Sequence, residues 1–354
     1  MPRSPRLTIT ALLVSVATLC VACGGGAEEA TSSVPSTSAA SDPSTTGATS
    51  PPTAARASAG CGSAGGGSTL NDRRTVDVGG ADRWYLLSTP PANDGRTPLP
   101  LVLDFHGLAE GAELHAGMSR FPELGQQEGF VVAVPNGTGT PAAWSIAADE
   151  SSPDVAFVDA LIDRIGADVC IDMNRVYATG LSNGALLSSA LACVRSDRIA
   201  AISAVAGVQF PPGCDPTRNV PVLAFHGTAD PILLFNGGVG DLAGALSGVP
   251  PTVPPGSTPD VDGPGTPAAM RSWAESSGCD PDPKDDPAGP SITRRTYSCP
   301  DGTAVEFYIV DGGGHAWPGS EFSQSIANIV GPTTMDLDAT ATAWEFFRSH
   351  PIAG

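Results

Sequence analysis

Short apolar runs that alternate with helical patterns constrain this chain more than any other feature. Six of them are RWYLLS (83–88), PLVLDF (100–105), FVVAVP (130–135), RVYATG (175–180), AAISAVAG (200–207) and VPVLAFHG (220–227). They are rich in β-branched or aromatic residues, and several are apolar throughout, which suits strands covered on both faces. Between them PDVAFVDALIDRI (153–165) and SNGALLSSALACV (182–194) carry helical patterns, and ATATAWEFFRSH is a last helix stopped by Pro351. Strand and helix in alternation predict an α/β fold with a doubly wound, mostly parallel sheet. Ligands gather at the carboxyl ends of the strands in such sheets. That rule sends His106, Ser182, Asp230 and His315, each just past an apolar run, to one edge.

The ends of the chain read differently. Arg3 and Arg6 precede LTITALLVSVATL, an apolar stretch too short for a comfortable membrane span, so residues 1–22 have the form of an export signal. VACGGG then resembles the lipobox of bacterial lipoproteins and makes Cys23 the candidate lipid acceptor, with Cys20 standing where that pattern usually has leucine. Residues 23–60 are dominated by Ser, Thr, Ala, Pro and Gly and predict a disordered tether to a single catalytic domain at 61–354. The expected location is therefore extracytoplasmic, anchored by lipid to the outer face of the cell membrane, or secreted if the signal is only cleaved. No later segment is apolar enough to span a bilayer, so membrane contact is expected through the lipid alone. With 18 Lys plus Arg against 37 Asp plus Glu, the net charge of -19 argues against a nucleic-acid partner.

Eight cysteines, less Cys20 and Cys23, leave Cys61, Cys170, Cys193, Cys214, Cys279 and Cys299. An even number in an exported chain without a CxxC pair points to disulfides rather than zinc. Cys279 and Cys299 flank a short acidic, Pro-rich segment read as a loop, and are the first expected pair. The other four cysteines allow three connectivities. The preferred one joins Cys193 to Cys214 and Cys61 to Cys170.

Ser182 lies in YATGLSNGALL, a GxSxG pattern between an apolar run and a helical one. A nucleophile on a sharp strand-to-helix turn needs glycine on both sides, here Gly180 and Gly184, because the neighbouring chain leaves no room for β-carbons. The helix starting behind it favours developing negative charge. The competing reading is a chance match in a chain with 42 glycines, weakened because the match falls between strand and helix.

A serine nucleophile requires a histidine base oriented by a carboxylate. Of five histidines, His115 and His350 read as solvated surface residues, while His106 and His226, each in FHG, read as fixing loop backbone. His315 in DGGGHAWPG follows a strand and is the expected base, which predicts turnover falling as pH drops through a histidine titration near neutrality. Asp230, in HGTADP, is the expected orienting carboxylate, and Asp311 is its rival. The oxyanion donors are then the amide of Asn183, after the nucleophile, and that of Leu108 in HGLAEG, with Gly107 second.

These motifs, together with WSI and YIVDGGGHAWPG, resemble the secreted polyhydroxybutyrate depolymerases and feruloyl esterases of the α/β-hydrolase superfamily over roughly residues 61–350. The resemblance implies carboxylic ester hydrolysis through an acyl-enzyme, with Ser182, Asp230 and His315 as the triad, no metal and no cofactor. Ala185 departs from the family, many members having a second glycine there. The Gly- and Pro-rich stretch 236–267 looks longer than usual and, bordering the cleft, leaves the substrate open. Small or oligomeric esters are the expected substrates and a monomer the expected state. Trp144 could stack on an acyl group or a sugar, or pack in the core. Trp317 is a second candidate at the substrate, although buttressing of the histidine loop is the simpler role; Trp273 and Trp344 read as core. Acyl transfer to a cell-wall sugar and an inactive wall-binding lipoprotein are the alternatives.

Overall fold

A computed structural model describes residues 54–241, 244, 258–300 and 302–353. The export signal, Cys23 and most of the tether lie outside these residues, as do 242–243 and 245–257 of the 236–267 stretch. In chain order the elements are β1 (Thr69–Val78), β2 (Ala81–Thr89), β3 (Leu99–Phe105), α1 (Ala112–Ser119), α2 (Phe121–Glu128), β4 (Val131–Pro135), α3 (Pro153–Asp168), β5 (Ile171–Leu181) and α4 (Asn183–Val194). There follow β6 (Ile202–Val205), β7 (Val222–Gly227), α5 (Thr266–Ser276), β8 (Lys284–Gly289), β9 (Ile292–Tyr297), β10 (Val305–Val310), α6 (Glu321–Ser325), α7 (Ala327–Val330) and α8 (Ala339–Arg348).

The strands form one sheet in the order β1-β2-β4-β3-β5-β6-β7-β10-β9-β8. From β4 to β10 neighbouring strands run parallel, as the alternation of strand and helix requires, and the two ends are antiparallel. Every residue of β3, β4, β6 and β7 is buried. Side chains alternate across the sheet: Leu101, Leu103 and Phe105 enter the core under α3 and α4, while Val102 joins Tyr177, Phe225 and Phe347 on the opposite face. The segment between Cys279 and Cys299, expected to be a loop, is instead largely the β8–β9 hairpin. Its composition concealed this because an edge strand tolerates Asp and Pro on its free side.

All three expected disulfides are present: Cys61–Cys170, Cys193–Cys214 and Cys279–Cys299. Such pairing suits an oxidising, extracytoplasmic compartment. Packing begins upstream of Cys61, where Ala57 bridges Asp172 and the Arg56 amide donates to the Asp172 carboxylate at 2.9 Å.

Candidate active site

Ser182 sits between β5 and α4 in a left-handed backbone conformation, φ 54° and ψ -116°. This is a strained conformation for a residue with a side chain, and it persists only where the surroundings impose it. Here its amide donates to Val205 O at 2.8 Å and its carbonyl accepts from Leu186 N–H at 2.9 Å. A β-carbon on Gly180 or Gly184 would collide with the Phe105 carbonyl, so the pattern around the serine is a packing requirement of β5 against β3.

Asp230 and His315 meet because their parent strands are neighbours. β7 and β10 run parallel with Gly227 opposite Val310, so both chains leave the sheet at the same edge. The loops are then laced together: Thr228 N–H donates to Val310 O, and Ala229 N–H to Gly313 O, both at 2.9 Å. His315 Nδ1–H donates to Asp230 Oδ2 at 2.8 Å, so in the neutral ring Nε2 is the nitrogen free to accept a proton. The other carboxylate oxygen accepts the amides of Ile232 and Leu233 at 2.8 and 2.9 Å. Burial alone would raise the Asp230 pKa. The charge of His315 and hydrogen bonds from His226 and His315 outweigh it and hold the carboxyl well below the usual range. Asp311, the rival, is exposed and accepts from the Thr228 hydroxyl at 3.1 Å, a loop-structuring role.

Ser182 and His315 line the same cavity of about 440 Å³. Leu114 and Met118 from α1, Ile146, Leu186 from α4, Ile232, Leu233 and Val239, and Phe322, Ile326 and Val330 from the α6–α7 region make its walls almost wholly apolar. Val239 is the one described residue of the 236–267 stretch among these walls. Leu108 and Asn183 face this cavity as well.

The loop carrying Leu108 has its orientation fixed by His106. Gly137 N–H donates to His106 Nε2 at 2.8 Å, so the ring proton is on Nδ1 and goes to Gly107 O at 2.6 Å. Burial holds the His106 pKa below its ordinary value and keeps the ring neutral, as this tautomer requires. Glu110 N–H also donates to Gly107 O, at 3.2 Å. In a trans peptide the N–H points opposite to the C=O, so pinning Gly107 O aims the Leu108 amide the other way. That amide has no hydrogen-bond partner among the described residues, whereas the Gly107 amide is already given to Glu110 Oε2 at 2.6 Å. Leu108, not Gly107, is therefore the available donor. The Asn183 side chain is committed to the Trp144 backbone, at 2.7 and 3.1 Å, leaving only its main chain facing the cavity.

Two sequence expectations need correction. His115 is no surface residue: it is fully buried, bonded to Asp104 at 2.7 Å and to Glu110 at 3.2 Å. Trp144 and Trp317 do not line that cavity. Trp144 is buried between Phe105 and Phe157 with its indole N–H on His106 O at 2.9 Å, and Trp317 buttresses from behind, its N–H on the Thr340 hydroxyl at 2.9 Å. His226, read as fixing backbone, does so by contacting Leu233 O at 2.8 Å. It also lies 3.2 Å from Asp230 and takes the Thr266 hydroxyl at 3.1 Å, a link to the candidate acid that FHG alone did not signal.

A strained serine behind a parallel strand, a His–Asp pair from the next loops and an apolar cavity between them define an esterase-type α/β-hydrolase. The chain belongs to the family described as Esterase PHB depolymerase, whose profile matches residues 84–258. NocK of Nocardia uniformis subsp. tsuyamanensis, named as an esterase, is 32% identical over 290 residues, 77% of this chain and 81% of that protein. Feruloyl esterase B of Piromyces equi is 28% identical over 66% of this chain, which spans only 42% of that relative. The solved acetyl xylan esterase from Aspergillus awamori is similar at a TM-score of 0.49, with 17% identity over 69% of this chain and 94% of that chain. Family and relatives make the chain a carboxylic ester hydrolase.

Proposed function

We propose that this protein is an extracytoplasmic serine esterase, with residues 1–22 as signal, Cys23 carrying lipid, a tether that follows it and a working domain that begins a few residues before Cys61, where residues 56–60 already pack on β5 and α3. Ser182 Oγ attacks the ester carbonyl as His315 Nε2 takes its proton, and Asp230 stabilises the imidazolium. The amides of Leu108 and Asn183 receive the oxyanion. The alcohol leaves with the proton from His315, and water attacks the acyl-enzyme by the same route to free the acid. The observation carrying this reading is the 2.8 Å His315–Asp230 bond beside a cavity that Ser182 also lines.

The apolar walls favour a short aliphatic or aromatic acyl group over a charged one. Small esters and short ester oligomers are therefore the proposed substrates, feruloylated or acetylated sugars and hydroxyalkanoate oligomers among them. A monomer is the proposed state. Labelling by a fluorophosphonate, with Ser182→Ala as the control, tests the nucleophile. A folded wild-type protein left unlabelled would overturn the reading. A panel of nitrophenyl and feruloyl esters then ranks the acyl groups.

A further inference from the structure

Beside the cavity, and reaching its lining at Glu110, lies a second histidine–carboxylate cluster that the reaction does not use directly. Asp104 ends β3, His115 is on α1, and Glu110 closes the turn between them. His115 Nε2 is 2.7 Å from Asp104 Oδ1, its Nδ1 is 3.2 Å from Glu110 Oε2, and the Ser119 hydroxyl donates to Asp104 Oδ2 at 2.6 Å. Both ring nitrogens face carboxylates, an arrangement that suits the imidazolium. Burial would lower the His115 pKa, but the charges of Asp104 and Glu110 dominate and push it up to about 10. Glu110 in turn stays below its ordinary value against burial, held by His115 and the Gly107 amide.

Glu110 Oε2 also accepts Gly107 N–H at 2.6 Å, one peptide before the Leu108 amide. Two contacts thus close the 107–110 turn, since the Glu110 amide holds Gly107 O while its carboxylate holds Gly107 N. A β-carbon on Gly107 would lie 3.2 Å from that carboxylate oxygen and 3.6 Å from Ser182 Cβ, so the clamp sits directly beside the nucleophile.

We propose that Glu110, clamped by His115 and Asp104, is a positioning residue that sets the Leu108 amide where the oxyanion forms. The inference rests on the serine-esterase reading above. Displacing one donor of such a pair costs on the order of a hundredfold in rate, because the amide acts on the transition state more than on the bound ester. Glu110→Ala should lower kcat about a hundredfold on a nitrophenyl ester, leave KM within about twofold, and weaken a trifluoromethyl ketone that forms a tetrahedral adduct by a similar factor. Glu110→Gln keeps an acceptor at the same reach and should restore kcat to within about fivefold of wild type. If Glu110→Ala does not fold, Glu110→Asp, which withdraws the carboxylate by one methylene, should still lower kcat by at least about tenfold at unchanged KM.

A folded Ala or Asp variant with wild-type kcat would overturn the proposal, as would a loss confined to KM. Fluorophosphonate labelling of Ser182 in the wild type keeps the two readings apart. Labelled wild type with an unaffected Glu110 variant sinks the positioning role alone, and unlabelled wild type sinks the esterase assignment beneath it.

Discussion

Two histidine–carboxylate clusters lie within one molecule. The His315–Asp230 pair stands on loops and opens to a cavity; His115 and Asp104 are fully buried between α1 and β3, and only Glu110 of their cluster reaches that cavity. Trp317 connects them, two residues beyond His315 in sequence and edge-on to the His115 ring at 5.6 Å between centroids. The contrast shows that residue chemistry does not decide the role. An imidazole with one nitrogen on a carboxylate and the other free can accept a proton from a neighbouring hydroxyl. An imidazole with both nitrogens bonded and no access can only hold backbone in place.

The sharpest way to break this contrast is to disable each pair in turn. Asp230→Asn should lower kcat by about 10⁴-fold at neutral pH, with far-UV circular dichroism unchanged, because the amide disturbs the tautomer of His315. His115→Gln should act first on stability, lowering the unfolding free energy by about 3–5 kcal/mol in urea, since it leaves two buried carboxylates without their cation. If His115→Gln instead abolished turnover at full stability, the division of labour drawn here would be wrong.

Alkaline pH separates the clusters more gently. The folded His115 value, pushed up to about 10, lies above its ordinary 6.5, so its stabilisation is complete below pH 6.5 and is lost as pH rises through about 10. Wild-type stability should fall across that window on the order of 1 kcal/mol per pH unit, while His115→Gln, less stable at neutrality, gives a flatter profile. Asp230 has the opposite sign: its depressed pKa gives stability present above the ordinary carboxylate range and lost as pH falls through and below it. The smallest effect is expected at the cavity mouth. Ile146→Ala should change kcat/KM for bulky acyl esters by roughly threefold to tenfold and that for acetyl esters far less, because only larger acyl groups reach that wall.

The framework was legible because its signals are local. Apolar runs announced β2 to β7, the GxSxG turn announced the bend at Ser182, and residues at strand ends pointed to Asp230 and His315. The Cys279–Cys299 pair was legible from its spacing, whereas Cys61–Cys170 and Cys193–Cys214 were a preference among three connectivities that the fold decides. Signals that depend on distant partners were not legible. His115 sits in AELHAGMS, a helix with little apolar periodicity, and its burial comes from Asp104 on a strand and Trp317 from much later in the chain. Glu110 stood in the quoted HGLAEG with nothing in that motif to say that its carboxylate folds back on Gly107. Trp144 offered two readings, and the decision came from the Asn183 side chain, which draws the Trp144 backbone against α4.

The disulfide between Cys61 and Cys170 fixes where the polypeptide enters the folded body. Cys170 immediately precedes β5, at the amino pole of the parallel strands, while Ser182 stands at the carboxyl end of the same strand. The first described residues therefore pack at the end of β5 remote from Ser182, where Ala57 bridges Asp172 and Ser58 N–H donates to Ile171 O at 2.9 Å.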